Sequence, residues 1–294
     1  MKTQAAAWNL FFWRWRFWRI PDVARAAREA VAHLKPAVVV TGGSRGIGLA
    51  LAARFIEKGW ATAIVGRDPE RLSAAIGQLR TSPDVTALPI LCDVTDANAA
   101  QLIAAELNRA GLYLDVLVNN AGIGLSGPFV THAPDQIARL IALNIETVTR
   151  LTRAALPDMI ARQHGGILNV SSLGACVPGP NQAIYYASRA YVVSLTEAIA
   201  SEVSGLGVRV SALLPGPVET DFHADMGAEA SLYRLLLPSA TPQQVANSAY
   251  RGFMFGQRVI VPGLLNKALF LALRLLPHTV TVPIVNWLLK RPQT

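Results

Sequence analysis

The chain has 294 residues, 52% of them hydrophobic and only 16% charged, a length and composition suited to one large α/β domain with a sizeable core. Two cysteines, Cys92 and Cys176, are too few for a disulfide framework and point to a reducing, cytoplasmic setting, and five scattered histidines without ligand spacing predict no metal centre. The net charge of +8 does not imply nucleic acid. Lys2, Arg14, Arg16, Arg19, Arg25, Arg28 and Lys35 stand against only Asp22 and Glu29 in residues 1–35, so most of the excess belongs to an extension and not to the domain.

In that extension, Trp8 to Arg19 interleaves aromatics with arginines, a mixture that favours the headgroup region of a bilayer. The apolar run before Arg14 is too short to span a membrane. Arginines follow the apolar part and no small-residue cleavage site appears, which argues against a signal peptide. A membrane-surface contact, a disordered tail and a start placed too far upstream all remain open for it. Asp22 then caps an expected helix with Val23, Ala26, Ala27, Ala30, Val31 and Leu34 on one face.

From residue 36 to 262 the pattern alternates. Short β-branched runs predict strands near 37–41, 61–66, 87–92, 115–119, 166–171, 208–213 and 258–262, with amphipathic stretches between them. That is the pattern of a Rossmann-type doubly wound sheet, mostly parallel and seven-stranded, with helices on both faces and its ligand at the carboxyl ends of the strands. The first strand runs into Thr41-Gly42-Gly43-Ser44-Arg45-Gly46-Ile47-Gly48. Glycines at such a strand-to-helix junction bring backbone N–H groups against a pyrophosphate at the positive end of the next helix.

Further motifs follow in order. Asn119-Asn120-Ala121-Gly122 ends the fourth strand, Asn144 lies within a helix, and Ser171-Ser172 ends the fifth strand. Tyr185-Tyr186-Ala187-Ser188-Arg189 and Pro215-Gly216-Pro217-Val218-Glu219-Thr220 complete the set. Together they resemble the short-chain dehydrogenase/reductase family from about residue 36 to 262. The resemblance implies interconversion of a carbonyl and an alcohol by hydride transfer with a nicotinamide cofactor. It places Gly42, Ser44, Arg45, Gly46, Ile47 and Gly48 at the pyrophosphate, Asp93 and Val94 at the adenine, and Asn119, Ala121 and Gly122 at the sheet centre. Pro215, Gly216 and Val218 fall at the nicotinamide and Thr220 at its carboxamide.

NAD and NADP are told apart at the ribose 2′ position, where an acidic residue closing the second strand favours the hydroxyl. Here Gly66-Arg67 closes that strand, and Arg45 and Arg67 both suit a phosphate, so NADP(H) is expected; Asp68, one residue on, speaks against it. The family's proton donor is a tyrosine assisted by a cation four residues later on the same helix face. Tyr185 has Arg189 at that spacing and Ser172 thirteen residues before it, whereas Tyr186 has Ala190. The expected catalytic set is therefore Asn144, holding a relay water, with Ser172, Tyr185 and Arg189. Arg189 departs from the family's lysine and also has to serve the cofactor ribose. Arginine keeps the charge but presents it on a larger planar fork, so a silent NADP(H)-binding protein with a regulatory or membrane-surface role is the alternative.

Phe222 to Leu237 falls where the family carries a mobile lid. With Val177, Pro178 and Ile184 it makes an apolar surround that favours a hydrophobic carbonyl substrate. Residues 263–294 form an apolar helical tail. Lys267, Arg274 and Pro277 interrupt it too often for a membrane span, leaving a helix packed over the pocket or a subunit, or a second membrane-surface contact. The resemblance also implies a homodimer or homotetramer through the helices bearing Asn144 and Tyr185.

Overall fold

Alternation of apolar side chains across β1 (Lys35–Thr41) decides the layering. Val38 and Val40 point into one buried cluster, and Ala37 and Val39 into another on the opposite face. The computed structural model describes residues 21–80, 84–228 and 231–290; the Trp/Arg stretch of the extension lies outside them. After β1 come α2 (Gly46–Ile56), β2 (Ala61–Gly66), α3 (Pro69–Leu79), β3 (Ala87–Leu91), α4 (Ala99–Arg109) and β4 (Leu112–Asn119). Then follow α5 (Pro134–Ile141), a π turn over Ala142–Glu146, α6 (Thr147–Arg162), β5 (Gly166–Val170), α7 (Ala183–Glu202) and β6 (Arg209–Leu213). Two short helices, α8 (Phe222–Asp225) and α9 (Leu232–Leu236), precede α10 (Pro242–Met254), β7 (Val259–Ile260), α11 (Leu264–Leu275) and α12 (His278–Leu289). The first described helix, α1 (Pro21–Glu29), lies before β1.

All seven strands are parallel, in the order β3-β2-β1-β4-β5-β6-β7. Helices α2, α3 and α10 bury their apolar faces on one side, and α4, α6 and α7 on the other. This is the doubly wound arrangement, whose strand order reverses between β1 and β4 and opens a crevice at their carboxyl ends.

Several elements differ from their sequence pattern. Strand β4 begins at Leu112 and not at Asp115, because Leu112, Tyr113 and Leu114 pair with Lys35, Pro36 and Ala37 of β1; the fully buried Asp115 carboxylate meets His164 Nδ1 at 2.8 Å. Strand β7 is cut to two residues ahead of Pro262 and Gly263. Asp22 falls inside α1, which ends at Glu29. Ala24 is its buried residue and Val23 is exposed, so the inward face differs from the expected one; α1 lies on α6, and Arg28 Nε donates to the Arg162 carbonyl at 2.8 Å.

Under the sheet, Phe253 is fully buried beside Phe55, with ring centroids 6.4 Å apart, and the Arg209 guanidinium lies over its ring. A Cβ at Gly166 would come within 2.6 Å of its Cζ, so α10 and β5 meet through this ring and a missing side chain. Phe253→Ala should lower unfolding free energy by about 3–5 kcal/mol, read as a reduced midpoint in urea with little change in slope.

Candidate active site

The glycine-rich turn is built against the next crossover. Gly42 has φ +62°, and a Cβ at Gly48 would overlap the Gly42 carbonyl, so α2 enters directly beneath the turn. Asn120 locks it from the side: its Nδ2 donates to the carbonyls of Thr41 and Gly42 at 3.0 and 3.1 Å. Thr41 Oγ1 in turn accepts from the N–H groups of Asn120 and Ala121 at 3.0 and 3.1 Å. The amino end of α2 thus opens into a cleft of about 800 Å³ that runs over the carboxyl ends of the strands.

One end of the cleft is rich in paired charges. Arg45, Arg67 and Arg71 line it, each facing a carboxylate. Arg45 pairs with Asp225 and, at 3.4 Å, with Asp221; Arg67 Nη1 lies 3.3 Å from Asp93; Arg71 Nε lies 3.1 Å from Asp68. Asp68 is also the N-cap of α3, accepting from the Arg71 N–H at 3.0 Å, so its charge is spent on its own helix. For Asp93, burial opposes ionisation. Hydrogen bonds from the Thr95 N–H and hydroxyl, together with Arg67, overcome that and hold its carboxyl below the ordinary range.

Strand β5 and helix α7 meet at the other end. Ser171, Ser172, Tyr185 and Arg189 all line the cleft. Tyr185 and Arg189 sit one turn apart on α7 and are only 8% and 5% exposed. The Arg189 guanidinium lies over the Tyr185 ring, Cζ 5.1 Å from its centroid, and Nη1 donates to the Val170 carbonyl at 3.2 Å. Ser171 Oγ donates to the Arg189 carbonyl at 2.9 Å. Among the described residues Arg189 Nε has no acceptor. Gly122 leaves the space that Nη2 fills, since a Cβ there would overlap it. Around Tyr185 the wall is apolar: Leu140, Ile123, Leu125, Ile184, Phe222 and Met226. Tyr186 is turned elsewhere, against Gly174 and Gly179, and desolvation pushes its hydroxyl far above the ordinary phenol range, with Tyr233 and Tyr185 adding to the effect.

Of the residues expected at the cofactor, Gly42, Ser44, Arg45, Gly46, Ile47, Arg67, Asp93, Val94, Ala121, Gly122, Pro215, Gly216, Val218 and Thr220 line the cleft with Tyr185 and Arg189. Gly48 and Asn119 lie beneath its wall. Asn119 Nδ2 donates to Asn169 Oδ1 at 2.8 Å, its register partner on β5, and to Thr152 on α6 at 3.1 Å. Asn144 is fully buried in the π turn. Its Oδ1 accepts from the Ile123 N–H at 3.0 Å, while its Nδ2 donates to the Ile123 carbonyl at 2.8 Å and to Ser188 Oγ at 3.1 Å. Both amide hydrogens are therefore committed to protein atoms. Val177 is buried with Val285 and Leu289 of α12 and Pro178 is exposed, so neither lines the cleft.

Two participants escaped the motif reading. Asn120 was legible only as the second half of an Asn pair. Arg71 carried a usable signal, standing four residues after Arg67 just past the helix-capping Asp68.

A bare glycine turn at a helix amino end, with three arginines at one side and a tyrosine at the other, fits a dinucleotide. The short chain dehydrogenase family model matches residues 36–231. A short chain dehydrogenase of Pseudocercospora fijiensis is 35% identical over 188 residues, 63% of this chain and 60% of that protein. Sulfoacetaldehyde reductase 2 of Chromohalobacter salexigens is 34% identical over 220 residues, 72% of this chain and 84% of that one. Among solved structures, a short-chain dehydrogenase from Sphingobium yanoikuyae in complex with NADPH superposes with a TM-score of 0.72 at 32% identity, over 81% of this chain and 91% of the other. The bulky-bulky ketone specific alcohol dehydrogenase of Comamonas testosteroni gives 0.68 at 28% identity, over 83% and 96%. The chain belongs to the short-chain dehydrogenase family and is an NAD(P)-dependent oxidoreductase acting on alcohol and carbonyl groups.

Proposed function

We propose that the protein is an NADPH-dependent reductase of hydrophobic ketones or aldehydes, with Tyr185 as its proton donor. The observation that carries this reading is the pairing of Tyr185 with a buried cation inside an apolar wall, at the end of a cleft whose other end gathers Arg45, Arg67 and Arg71. The dinucleotide, when bound, supplies the hydride. Ser172, which caps the short turn after β5 by accepting from the Gly174 N–H, offers its hydroxyl hydrogen to the carbonyl oxygen. Tyr185 gives its proton to that oxygen as negative charge develops there. Arg189 stabilises the tyrosinate left behind, doing the work of the family's lysine with a guanidinium held by Val170 and seated over the ring. Asn144 acts by position. It ties Ile123 to Ser188, whose hydroxyl donates to the Tyr185 carbonyl at 2.7 Å and so steadies the first turn of α7.

The preference for a 2′-phosphate rests on Arg45, Arg67 and Arg71 and on the engagement of Asp68 as a helix cap. Lipophilicity of the substrate rests on Phe222, Met226 and Leu140 around Tyr185. Assembly into a homodimer or homotetramer would use α6 and α7, where Thr149 Oγ1 and the Tyr191 hydroxyl lie 2.9 Å apart at the surface, while α1 covers the Arg162 end of α6.

With NADPH and a panel of lipophilic ketones, Tyr185→Phe should lower kcat by about a hundredfold or more without loss of NADPH binding. Unchanged turnover would remove Tyr185 from the role. Arg189→Lys should keep kcat within about tenfold of wild type and Arg189→Met should lose about a hundredfold. A silent wild-type protein that gains turnover as Arg189→Lys would favour the regulatory alternative. Arg67→Ala combined with Arg71→Ala should weaken NADPH binding by about ten- to a hundredfold and leave NADH binding nearly unchanged, followed by nicotinamide fluorescence. Equal weakening of both would overturn the preference.

A further inference from the structure

The carboxyl-terminal helices carry two faces of opposite use. Inward, Phe270 packs with Leu173 and Val261, and Leu273 joins Val285, Leu289, Val177 and Tyr233. This inner face also holds the lid, since the Leu232 N–H donates to the Lys290 carbonyl at 3.1 Å. Outward, the pattern is equally regular. On α11, Leu264, Leu271 and Leu275 fall on one helical stripe and are 84%, 56% and 80% exposed. On α12, Val280, Ile284 and Trp287 repeat at i, i+4, i+7 and are about half exposed. A soluble surface scatters such residues singly, whereas here six of them lie on two successive helices.

Charge selects what covers this face. From Ala230 to Thr294 the chain has no Asp or Glu against seven Lys and Arg. Lys267 and Lys290 are exposed, and Arg274 flanks the α11 stripe, where it also stacks on Phe270 and lies 3.7 Å from Glu197. Leucine, isoleucine and tryptophan edged by Lys267 and Lys290, with no acid on either helix, is the composition of a helix that lies in the interfacial plane of an anionic bilayer. A second copy of the same face would set these cations against each other. Among the described residues no helix is long and apolar enough to cross a membrane.

We propose that the outward stripes of α11 and α12 dock on an anionic lipid surface, their apolar side chains entering the acyl boundary and Lys267 and Lys290 meeting lipid phosphates. Docking does not depend on the reaction assigned above. It would bring the lid, held on the inner face of α12, next to the bilayer.

The test is co-sedimentation of the full chain with vesicles of phosphatidylcholine alone or mixed with phosphatidylglycerol. Wild type should bind the mixed vesicles and bind neutral ones several-fold less. Leu271→Glu/Ile284→Glu/Trp287→Glu should lower binding to mixed vesicles at least about tenfold while leaving NADPH binding intact. Lys267→Gln/Lys290→Gln, which spares the apolar stripe, should weaken it several-fold and flatten its salt dependence. Equal binding by wild type and both variants would overturn the proposal and assign any membrane affinity to the rest of the chain. A wild-type dimer in solution that the triple glutamate variant splits would also overturn it, because the face would then be covered by a second copy.

Discussion

A guanidinium buried at the carboxyl end of β5 is the constraint around which the catalytic end is arranged. Arg189 is only 5% exposed, so most of its charge is met by the carbonyl of Val170 and the face of Tyr185. Each of these partners fixes something else. The Val170 carbonyl binds the helix to the end of β5, next to Ser171 and Ser172. The ring contact places the Tyr185 side chain, and the bare Cα of Gly122 admits the planar fork. A lysine would reach the same region with a flexible stem and a point charge. Arginine brings a rigid plane, which ties the tyrosine to the strand ends through geometry as well as charge.

At the opposite end, charge is balanced in a different manner. Arg45, Arg67 and Arg71 are each half exposed and each faces an acid, so these pairs are weak contributors to stability. What they do is gather charge. Three cations are gathered at the mouth of the cleft with their repulsion offset, and the acids that hold them sit on different elements: the cap of α3, the turn after β3, and the start and end of α8. Arg45 therefore joins the glycine turn to α8 through Asp221 and Asp225. Between the two ends, Asn120 and Thr41 bolt the first crossover to the fourth strand, and Asn119 and Asn169 continue the polar seam below the cleft.

The strands, their number and the glycine turn were legible in the sequence because β-branched runs and positive-φ glycines act locally. So was the Tyr185–Arg189 pairing, which needs only a helix and a spacing of four. What sequence by itself could not reach were the relations between distant residues. Asp115 looked like a strand boundary, yet Leu112, Tyr113 and Leu114 before it pair with Lys35, Pro36 and Ala37 of β1. Val177 looked like a pocket residue until α12 folded over it. Asn144 carried no sign in the sequence that its side-chain amide is spent on Ile123 and Ser188. Local propensity and motif order therefore determined the doubly wound class, the cleft and the candidate acid. Only the tertiary structure decided which polar groups are consumed by their neighbours, which faces of α11 and α12 turn inward, and that Arg189 sits over the tyrosine ring. Burial and partner geometry are properties of contacts between residues far apart in the chain, and no local pattern encodes them.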